Sequence, residues 1–295
     1  MTAAAEPDPA MPARDDDVLR AEIESSLASA IDRMGLAPLL DEATRYALLG
    51  GGKRLRPMLV LRACEAVGGD RIKALPAAVA VECIHAFSLV HDDLPAMDDD
   101  DLRRGRPTTH KAYGEDVAIL VGDLLQGLAA ESALSSPVEP LAVTRMVLEG
   151  SRRMIEGQVH DTVGGFPEGL DGELDRLRLI HELKTAALIR ASCRMGAIVG
   201  GGDPTALDAY GQAVGLMFQV VDDILDQTQS TEHLGKTGGK DEISGKRTYP
   251  ALLGLEGSRA EVVRLESVAL NALQALGIEA APLRALAGQL AVRTR

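Results

Sequence analysis

The chain is poor in aromatic residues. It has no Trp, three Phe and four Tyr among 295 residues, so aromatic side chains make up only 2% of the sequence. Ala and Leu dominate instead. This balance favours helices over sheets, because strands are enriched in aromatic and β-branched side chains. The sequence therefore predicts the all-α fold class.

Cysteine is also scarce. Cys64, Cys83 and Cys193 are an odd number of residues, lie far apart, and form no C-x-x-C pair. This pattern argues against a disulfide-stabilised scaffold and a cysteine-rich metal site. We expect core or free thiols in a reducing compartment.

Net positive charge is absent. The 31 Lys and Arg residues face 44 Asp and Glu residues, which gives a formal net charge of −13. Sequence-independent binding of nucleic acid requires a basic surface, so we expect no nucleic-acid partner. No uncharged apolar stretch reaches the length of a membrane span, and no signal-peptide pattern opens the chain. A cytoplasmic protein without a membrane span is expected.

The periodicity of apolar residues predicts one helical domain. Residues 1–16, rich in Ala, Pro and Asp, are expected to form a disordered N-terminal tail. No linker-like change in composition divides residues 17–295, which we interpret as a single all-α bundle. A first helix is expected around Leu19–Met34. The further predicted helices span 39–49, 57–67, 74–93, 116–135, 138–163, 171–199 and 204–226, and helices resume at 250.

An acidic run follows the apolar segment that ends near residue 90. Two like charges about 4 Å apart repel by about 4 kcal/mol at an effective dielectric constant of about 20, so a cation is expected among them. Mg²⁺ prefers one or two carboxylates together with phosphate oxygens. A solvated surface is the alternative, but the apolar lead-in and Pro95 argue against a uniform polar helix. The run contains Asp92, Asp93, Asp98, Asp99, Asp100 and Asp101, and then Arg103, Arg104 and Arg106.

A second acidic motif lies near residue 222. Asp222 and Asp226 are four residues apart and share one helix face, with Gln219 one turn earlier. A lone D-D-x-x-D motif has little specificity and could be a solvated edge. A second such motif in the same helical chain is a stronger signal.

Basic and polar segments accompany the two acidic motifs. GGGKRLRP at 50–57 fails the spacing of a P-loop, but Lys53 and Arg56 lie one turn apart. Glu82 and His85 have the spacing of a di-iron ligand pair; without a second copy, His85 is expected to contact phosphate or to be a polar core residue. Residues 227–247 are polar and Gly-rich, and are expected to form a functional loop. Its basic residues are Lys236, Lys240, Lys246 and Arg247.

Taken together, these motifs and the LGKTGGKDEISGKRTYP segment resemble the trans-isoprenyl diphosphate synthase family, the polyprenyl synthetases. The similarity is greatest to the bacterial farnesyl diphosphate synthases. The resemblance implies a large helical bundle around a central cavity, a homodimer and three Mg²⁺ ions. It also implies two small-molecule substrates, isopentenyl diphosphate and an allylic diphosphate. The implied reaction is the head-to-tail (1′-4) condensation of isopentenyl diphosphate with dimethylallyl and then geranyl diphosphate.

The resemblance also assigns roles to individual residues. The first aspartate motif would hold two Mg²⁺ ions through Asp92, Asp93 and Asp98. The second motif, Asp222, Asp223 and Asp226, would hold the third through Asp222. The residues implied to bind isopentenyl diphosphate are Lys53, Arg56, His85 and Arg104. Those implied to contact the allylic diphosphate are Arg103, Lys184, Thr185, Gln219, Lys236 and Lys246. The residues implied to be catalytic are Asp92, Asp93, Asp98, Arg103, Lys184, Asp222 and Lys236.

The implied chemistry explains why no serine–histidine or cysteine–histidine signature is needed. Ionisation of the allylic C–O bond places negative charge on the leaving diphosphate, where Mg²⁺, Arg and Lys stabilise it. The alkene of isopentenyl diphosphate then attacks the allylic cation. By analogy with the family, pyrophosphate accepts the released proton.

Product length is expected to depend on residues just before Asp92. Phe87 would lie ~7.5 Å below the metal site on a helix that rises 1.5 Å per residue, with Ser88 beside it. By resemblance, an aromatic residue here, together with the two extra residues before Asp98 in the first aspartate motif, favours a farnesyl product, although a lone Phe is more often simply a core residue. Geranylgeranyl diphosphate is the alternative product. His160 stands where the family segment usually has Leu, a departure that concerns cavity shape.

Three alternatives come from other classes. The His91–Asp92 pair is found in helical metal-dependent phosphohydrolases, but the other histidines form no second pair. A terpene cyclase shares the first ionisation step but usually has Asn, Ser or Thr, and Glu in its second metal motif. An inactive regulatory subunit would lack aspartates that are present here.

Overall fold

The computed structural model describes residues 11–228 and 247–293, and side chains from residue 15 onward. Within these ranges the chain is almost entirely helical, so the predicted all-α fold class is confirmed. The α-helices are α1 (Met11–Met34), α2 (Pro38–Leu48), α3 (Leu55–Ala66), α4 (Arg71–Asp92), α5 (Thr109–Tyr113), α6 (Glu115–Leu134), α7 (Pro140–Thr162), α8 (Glu173–Ile180), α9 (Ala187–Val199), α10 (Thr205–Thr228), α11 (Tyr249–Ala272) and α12 (Ala281–Val292).

The core is built around α4. One buried cluster joins α4 to α1, α6 and α7, and a second joins α10 to α9, α11 and α12. By length and composition α4 and α6 could each cross a membrane, but 67% of the apolar window of α4 and 44% of that of α6 are buried inside the protein. α4 thus serves as a core helix that carries the first aspartate motif at its C-terminal end.

Helix α1 starts inside the stretch predicted to be a disordered tail. It begins at Met11, and the carboxylates of Asp15 and Asp16 lie 2.6 and 2.8 Å from the guanidinium of Arg62 on α3. These ion pairs hold the first turns of α1 against the bundle, so α1 overlaps residues 11–16 of the predicted tail. Residues 1–10 lie outside the described ranges.

A two-stranded hairpin interrupts the helices after the acidic run. Strands β1 (Leu102–Arg103) and β2 (Arg106–Pro107) pair antiparallel, with Leu102 opposite Pro107. Arg104 and Gly105 form the turn with φ values of 54° and 74°. Positive φ at both central residues is the mark of a type I′ turn, the two-residue turn that matches strand twist. The turn directs the two adjacent arginines, Arg103 and Arg104, to different neighbours.

The helix predicted over 171–199 is divided by a π-helix, His181–Ala186. This segment lies between α7 and α10, and glycines allow both helices to come close. A Cβ on Gly157 would lie 2.3 Å from the backbone nitrogen of Lys184, and one on Gly215 would lie 2.5 Å from the Cα of Ala186. The π-helix is therefore packed tightly between two helices, and it carries Lys184 and Thr185.

Candidate active site

The first aspartate motif lies at the C-terminal end of α4. Asp93 is 2% exposed and Asp92 is half-buried, whereas Asp98 is exposed in the following loop. The loop folds back on the helix, since the backbone N–H of Asp98 donates to the carbonyl of Asp92 at 2.8 Å. The three predicted ligands of this motif thus lie at one helix end, but within the described residues their carboxylates do not form a cluster that could hold a metal ion by itself.

The carboxyl group of Asp92 carries the electrostatic signature of the motif. Its pKa is raised to about 6, chiefly by burial and also by the negative charges of Asp98 and Asp93, while the positive charges of Lys184 and Arg103 oppose the shift. The raised pKa shows that burial and neighbouring carboxylates disfavour the charged form of Asp92. A bound cation would stabilise that charged form. The motif therefore fits the predicted metal-binding role.

Arg103 neutralises Asp93. Its Nε donates to both carboxylate oxygens of Asp93 at 2.9 Å, and the side chain extends from the hairpin. The hairpin is in turn held by Thr108, whose hydroxyl donates to the carbonyl of Asp100 at 2.8 Å and lies 3.1 Å from Nδ1 of His110. Both Thr108 and His110 are buried. The sequence alone assigned no role to these two residues. In the structure Thr108 holds the loop after the first motif, and His110 lies next to Thr108.

Arg104, the other turn arginine, points to the glycine loop that precedes α3. Its Nη1 donates to the carbonyl of Gly51, and a Cβ on Gly52 would lie 2.4 Å from the same nitrogen. A side chain at position 52 would therefore require the guanidinium to move. The contact brings Arg104 to the loop that carries Lys53, which is exposed. Two residues predicted to bind isopentenyl diphosphate thus belong to neighbouring segments.

Arg54 turns into the protein beside exposed Lys53. Its guanidinium is 2% exposed and donates to Glu24 at 2.6 Å, to Glu82 at 2.7 Å and to the carbonyl of Leu48 at 2.8 Å. Arg54 adopts a left-handed backbone conformation with φ of 48° at the N-cap of α3. This network explains Glu82 of the Glu-x-x-His spacing as a structural partner.

Several positively charged side chains collect next to this network. The Nε atom of Arg56 is buried without a hydrogen-bond partner in the described part of the chain. Burial lowers the pKa of Arg56; the negative charge of Glu82 opposes this shift, and repulsion from Arg104 adds to it. Burial and the same two arginines lower the pKa of His85 well below 6.5. A cavity lined by His85, Arg103 and Arg104 opens here, and its chemistry suits a diphosphate.

The π-helix provides the other face of the site. The Nζ atom of Lys184 lies 2.6 Å from the carboxylate of Asp161 on α7, and its charge also acts on Asp92. The hydroxyl of the next residue, Thr185, donates to Oε1 of Gln219 on α10 at 3.1 Å. The first motif and the helix of the second motif therefore both adjoin two consecutive residues, Lys184 and Thr185.

The aspartates of the second motif differ in their surroundings. Asp222 is exposed and Asp226 is half-buried, whereas Asp223 is 6% exposed. Asp223 accepts hydrogen bonds from Nε2 of Gln219 and from the backbone N–H of Tyr249. Lys236, Lys240 and Lys246, which were expected to follow this motif in a functional loop, lie outside the described residues.

Phe87 and Ser88 lie on α4, N-terminal to the first motif. Phe87 is 5% exposed and its ring meets that of His91 edge-on at 5.9 Å. The hydroxyl of Ser88 donates to the carbonyl of His85 at 2.9 Å. Phe87 belongs to the buried cluster around α4, so its proposed control of product length stays a prediction.

His160 packs at the end of α7. Its ring stacks on that of Phe166 with centroids 5.1 Å apart. The guanidinium of Arg176 lies over the same Phe166 ring, 5.1 Å from its centroid. The Nδ1 atom of His160 lies 3.1 Å from the carbonyl of Gly164. The unusual histidine thus anchors the loop after α7.

The donor set fits magnesium bound together with substrate. Within residues 11–228 and 247–293 no cluster of three or more His, Cys, Asp or Glu side chains forms a ready metal cage. Mg²⁺ usually keeps waters and binds through one or two carboxylates plus phosphate oxygens, which the separated carboxylates Asp92 and Asp222 could supply.

Comparison with known proteins agrees with this geometry. The polyprenyl synthetase family model matches residues 37–275. The chain is 50% identical to geranylgeranyl pyrophosphate synthase 11, chloroplastic, of Arabidopsis thaliana over 270 residues, which is 86% of this chain and 74% of the relative.

Solved structures show the same fold. An FPP/GFPP synthase from Zymomonas mobilis has a TM-score of 0.77 and 34% identity, covering 94% of this chain and 99% of the other. Geranylgeranyl pyrophosphate synthetase from Pyrococcus horikoshii has a TM-score of 0.80 and 30% identity, covering 95% and 97%. The chain belongs to the polyprenyl synthetase family, the trans-isoprenyl diphosphate synthases, and has the all-α fold of these prenyltransferases.

Proposed function

We propose that the protein is a Mg²⁺-dependent geranylgeranyl diphosphate synthase. It would condense isopentenyl diphosphate head-to-tail with an allylic diphosphate until the product has four isoprene units. The observation that supports the chemistry is the pairing of a carboxylate-rich α4 end with an arginine-lined cavity. The product is supported by the relatives at about half identity, which are named geranylgeranyl pyrophosphate synthases.

Each substrate has a set of residues suited to it. Arg56, Arg104 and His85 would bind the diphosphate of isopentenyl diphosphate, where positive charge is concentrated and Nε of Arg56 has no hydrogen-bond partner in the described part of the chain. The lowered pKa of His85 keeps its imidazole neutral at pH 7, so the ring offers one N–H donor. Lys53 would complete this set from the exposed loop.

The leaving diphosphate would bind on the other side of the site. Lys184 and Arg103 would hold its oxygens as negative charge develops there. Bound Mg²⁺ would supply Lewis-acid stabilisation of the same charge, held by Asp92, Asp93 and Asp98 and, across the site, by Asp222 and Asp226. The hydrogen bond between Thr185 and Gln219 connects the π-helix to α10, and it would help to position Lys184.

Farnesyl diphosphate is the second candidate product. It is favoured by Phe87, a buried aromatic side chain one and a half turns before Asp92, and by the farnesyl name of the Zymomonas mobilis structure. Incubation of the protein with Mg²⁺, isopentenyl diphosphate and dimethylallyl diphosphate, followed by mass spectrometry of the products, separates the two. We expect a twenty-carbon main product; a fifteen-carbon end product would select the farnesyl activity. Release of inorganic phosphate without a prenyl product would instead support a phosphohydrolase.

We also propose a homodimer. Apolar side chains are exposed along α6 and α7, with Leu120 59%, Leu141 74% and Leu148 45% exposed. Helix faces of this kind are typical of interfaces between subunits. Sedimentation of the wild type and of Leu120→Glu would test the assembly, since a dimer should dissociate in the variant. A cytoplasmic location stays a prediction.

A further inference from the structure

Asp223 is the most buried aspartate of its motif. It is 6% exposed, whereas Asp222 beside it is exposed and Asp226 one turn later is half-buried. A carboxylate is rarely buried unless its oxygens are hydrogen-bonded or paired. The hydrogen-bond partners of Asp223 therefore indicate the role of its carboxylate.

Both oxygens of Asp223 accept hydrogen bonds from the protein. Oδ1 accepts from Nε2 of Gln219 at 3.1 Å, and Oδ2 accepts from the backbone N–H of Tyr249 at 2.9 Å. Tyr249 is the first residue of α11, where backbone N–H groups have no partner inside the helix. A carboxylate at this position also interacts favourably with the positive end of the helix dipole. Asp223 thus caps α11 from a different helix.

The hydrogen bonds continue to the π-helix. Gln219 uses its amide nitrogen on Asp223 and its amide oxygen on the hydroxyl of Thr185. The side chain of Tyr249 returns to the same π-helix, where its ring lies 5.4 Å from that of His181. These contacts connect three elements to one another: the π-helix, α10 and α11. Lys184 lies on the π-helix between two residues that make these contacts, His181 and Thr185.

We propose that Asp223 is a positioning residue and not a metal ligand. It orients Gln219 and the start of α11, and through Thr185 it holds the turn that carries Lys184. Asp222 and Asp226 then carry the metal-binding role of this motif. This inference rests on the proposed function only for what Lys184 does; the structural role of Asp223 does not depend on it.

The test compares Asp223→Asn with the matched neighbour Asp222→Asn. The first readout is thermal unfolding in EDTA, where metal binding plays no part. We expect Asp223→Asn to lower the Tm by about 5 °C, because an amide cannot replace both buried charged acceptors. Asp222→Asn, which changes an exposed side chain, should shift the Tm by less than about 2 °C. Equal Tm values for the two variants would overturn the proposal.

The second readout is calorimetric titration of Mg²⁺ in the presence of inorganic pyrophosphate. We expect Asp222→Asn to weaken Mg²⁺ binding about tenfold or more, and Asp223→Asn to change it less than about threefold. A loss of Mg²⁺ affinity in Asp223→Asn as large as that in Asp222→Asn would make Asp223 a ligand and refute the inference.

Kinetics provide the third readout, with Gln219→Leu as the partner variant. Asp223→Asn and Gln219→Leu should each raise the KM for the allylic diphosphate about tenfold, and the double variant should show little further loss, because both act through one contact. Independent, multiplying losses would contradict the proposal. If the wild type forms no prenyl product, the proposed function fails, while the EDTA and calorimetric comparisons still decide the role of Asp223. If Asp223→Asn does not fold, Gln219→Leu must lose allylic affinity at unchanged Mg²⁺ affinity, or the inference fails.

Discussion

Replacing Arg54 by Met should be among the most destabilising single changes near the site. The guanidinium is 2% exposed and pairs with Glu82, itself 5% exposed, and with Glu24, 34% exposed. Burial alone would lower the pKa of Arg54, but its ion pairs with the two glutamates outweigh burial and raise it. Arg54 is therefore charged at every working pH, and its removal leaves the Glu82 carboxylate buried without its cation.

The magnitude follows from that uncompensated charge. Breaking a buried ion pair by removing one partner costs about 3–5 kcal/mol, and the carbonyl of Leu48 also loses its donor. For a chain of this size such a loss corresponds to a fall in Tm of about 5–8 °C. Replacing both charges, Arg54→Met with Glu82→Met, should recover most of this loss, because no unpaired ion remains.

Thermal unfolding followed by circular dichroism measures the effect. Lys53→Met is the matched control, since Lys53 is adjacent and exposed, and its Tm should change by less than about 2 °C. Below the Tm, Arg54→Met should also raise the KM for isopentenyl diphosphate, because Arg54 fixes the N-terminal end of α3. A Tm of Arg54→Met within about 2 °C of the wild type would refute the reasoning.

Three further predictions concern the site. Phe87→Ser should lengthen the main product by one isoprene unit in mass spectra, and an unchanged product would leave Phe87 a core residue only. Asp161→Asn should raise the KM for the allylic diphosphate about tenfold with little change for isopentenyl diphosphate, because Lys184 loses its 2.6 Å partner; equal changes for both substrates would argue against this role. In EDTA, Asp92 has a folded-state pKa of about 6, above the ordinary aspartate pKa of 3.8, so its contribution to stability is present in acid and lost as pH rises through about 6. Asp92→Asn should therefore raise the Tm at pH 8 more than at pH 5, and an equal shift at both values would contradict the raised pKa.

The parts of the site that sequence could predict are those that repeat a local pattern. Asp92 and Asp93 follow an apolar helix, and Gln219, Asp222 and Asp226 recur at helical spacing, so residue type and position were enough to single them out. The resemblance supplied Lys184 and Thr185, and the structure brings both next to the two motifs.

Other residues could not be predicted because their roles depend on distant partners. Arg54 resembles its neighbour Lys53 in sequence, yet the left-handed backbone turns it inward to Glu24, 30 positions away. Asp161 acquires its role from Lys184, 23 positions away on another element. The hairpin at 102–107 is too short for a periodic signal. The farnesyl expectation rested on Phe87 and on the resemblance of the motifs to bacterial farnesyl diphosphate synthases, whereas similarity over most of the chain favours geranylgeranyl diphosphate.

The π-helix at His181–Ala186 has a consequence for which lengths of chain this region tolerates. A π-turn takes up one more residue than an α-turn, and each residue rotates a helix by about 100°. Deleting a single residue here would restore a regular α-helix, but it would swing Lys184 and Thr185 out of line with Asp161 and Gln219. Protein families usually accept insertions and deletions in loops. In this π-turn, however, a change in length should abolish activity, even where it makes the helix itself more regular.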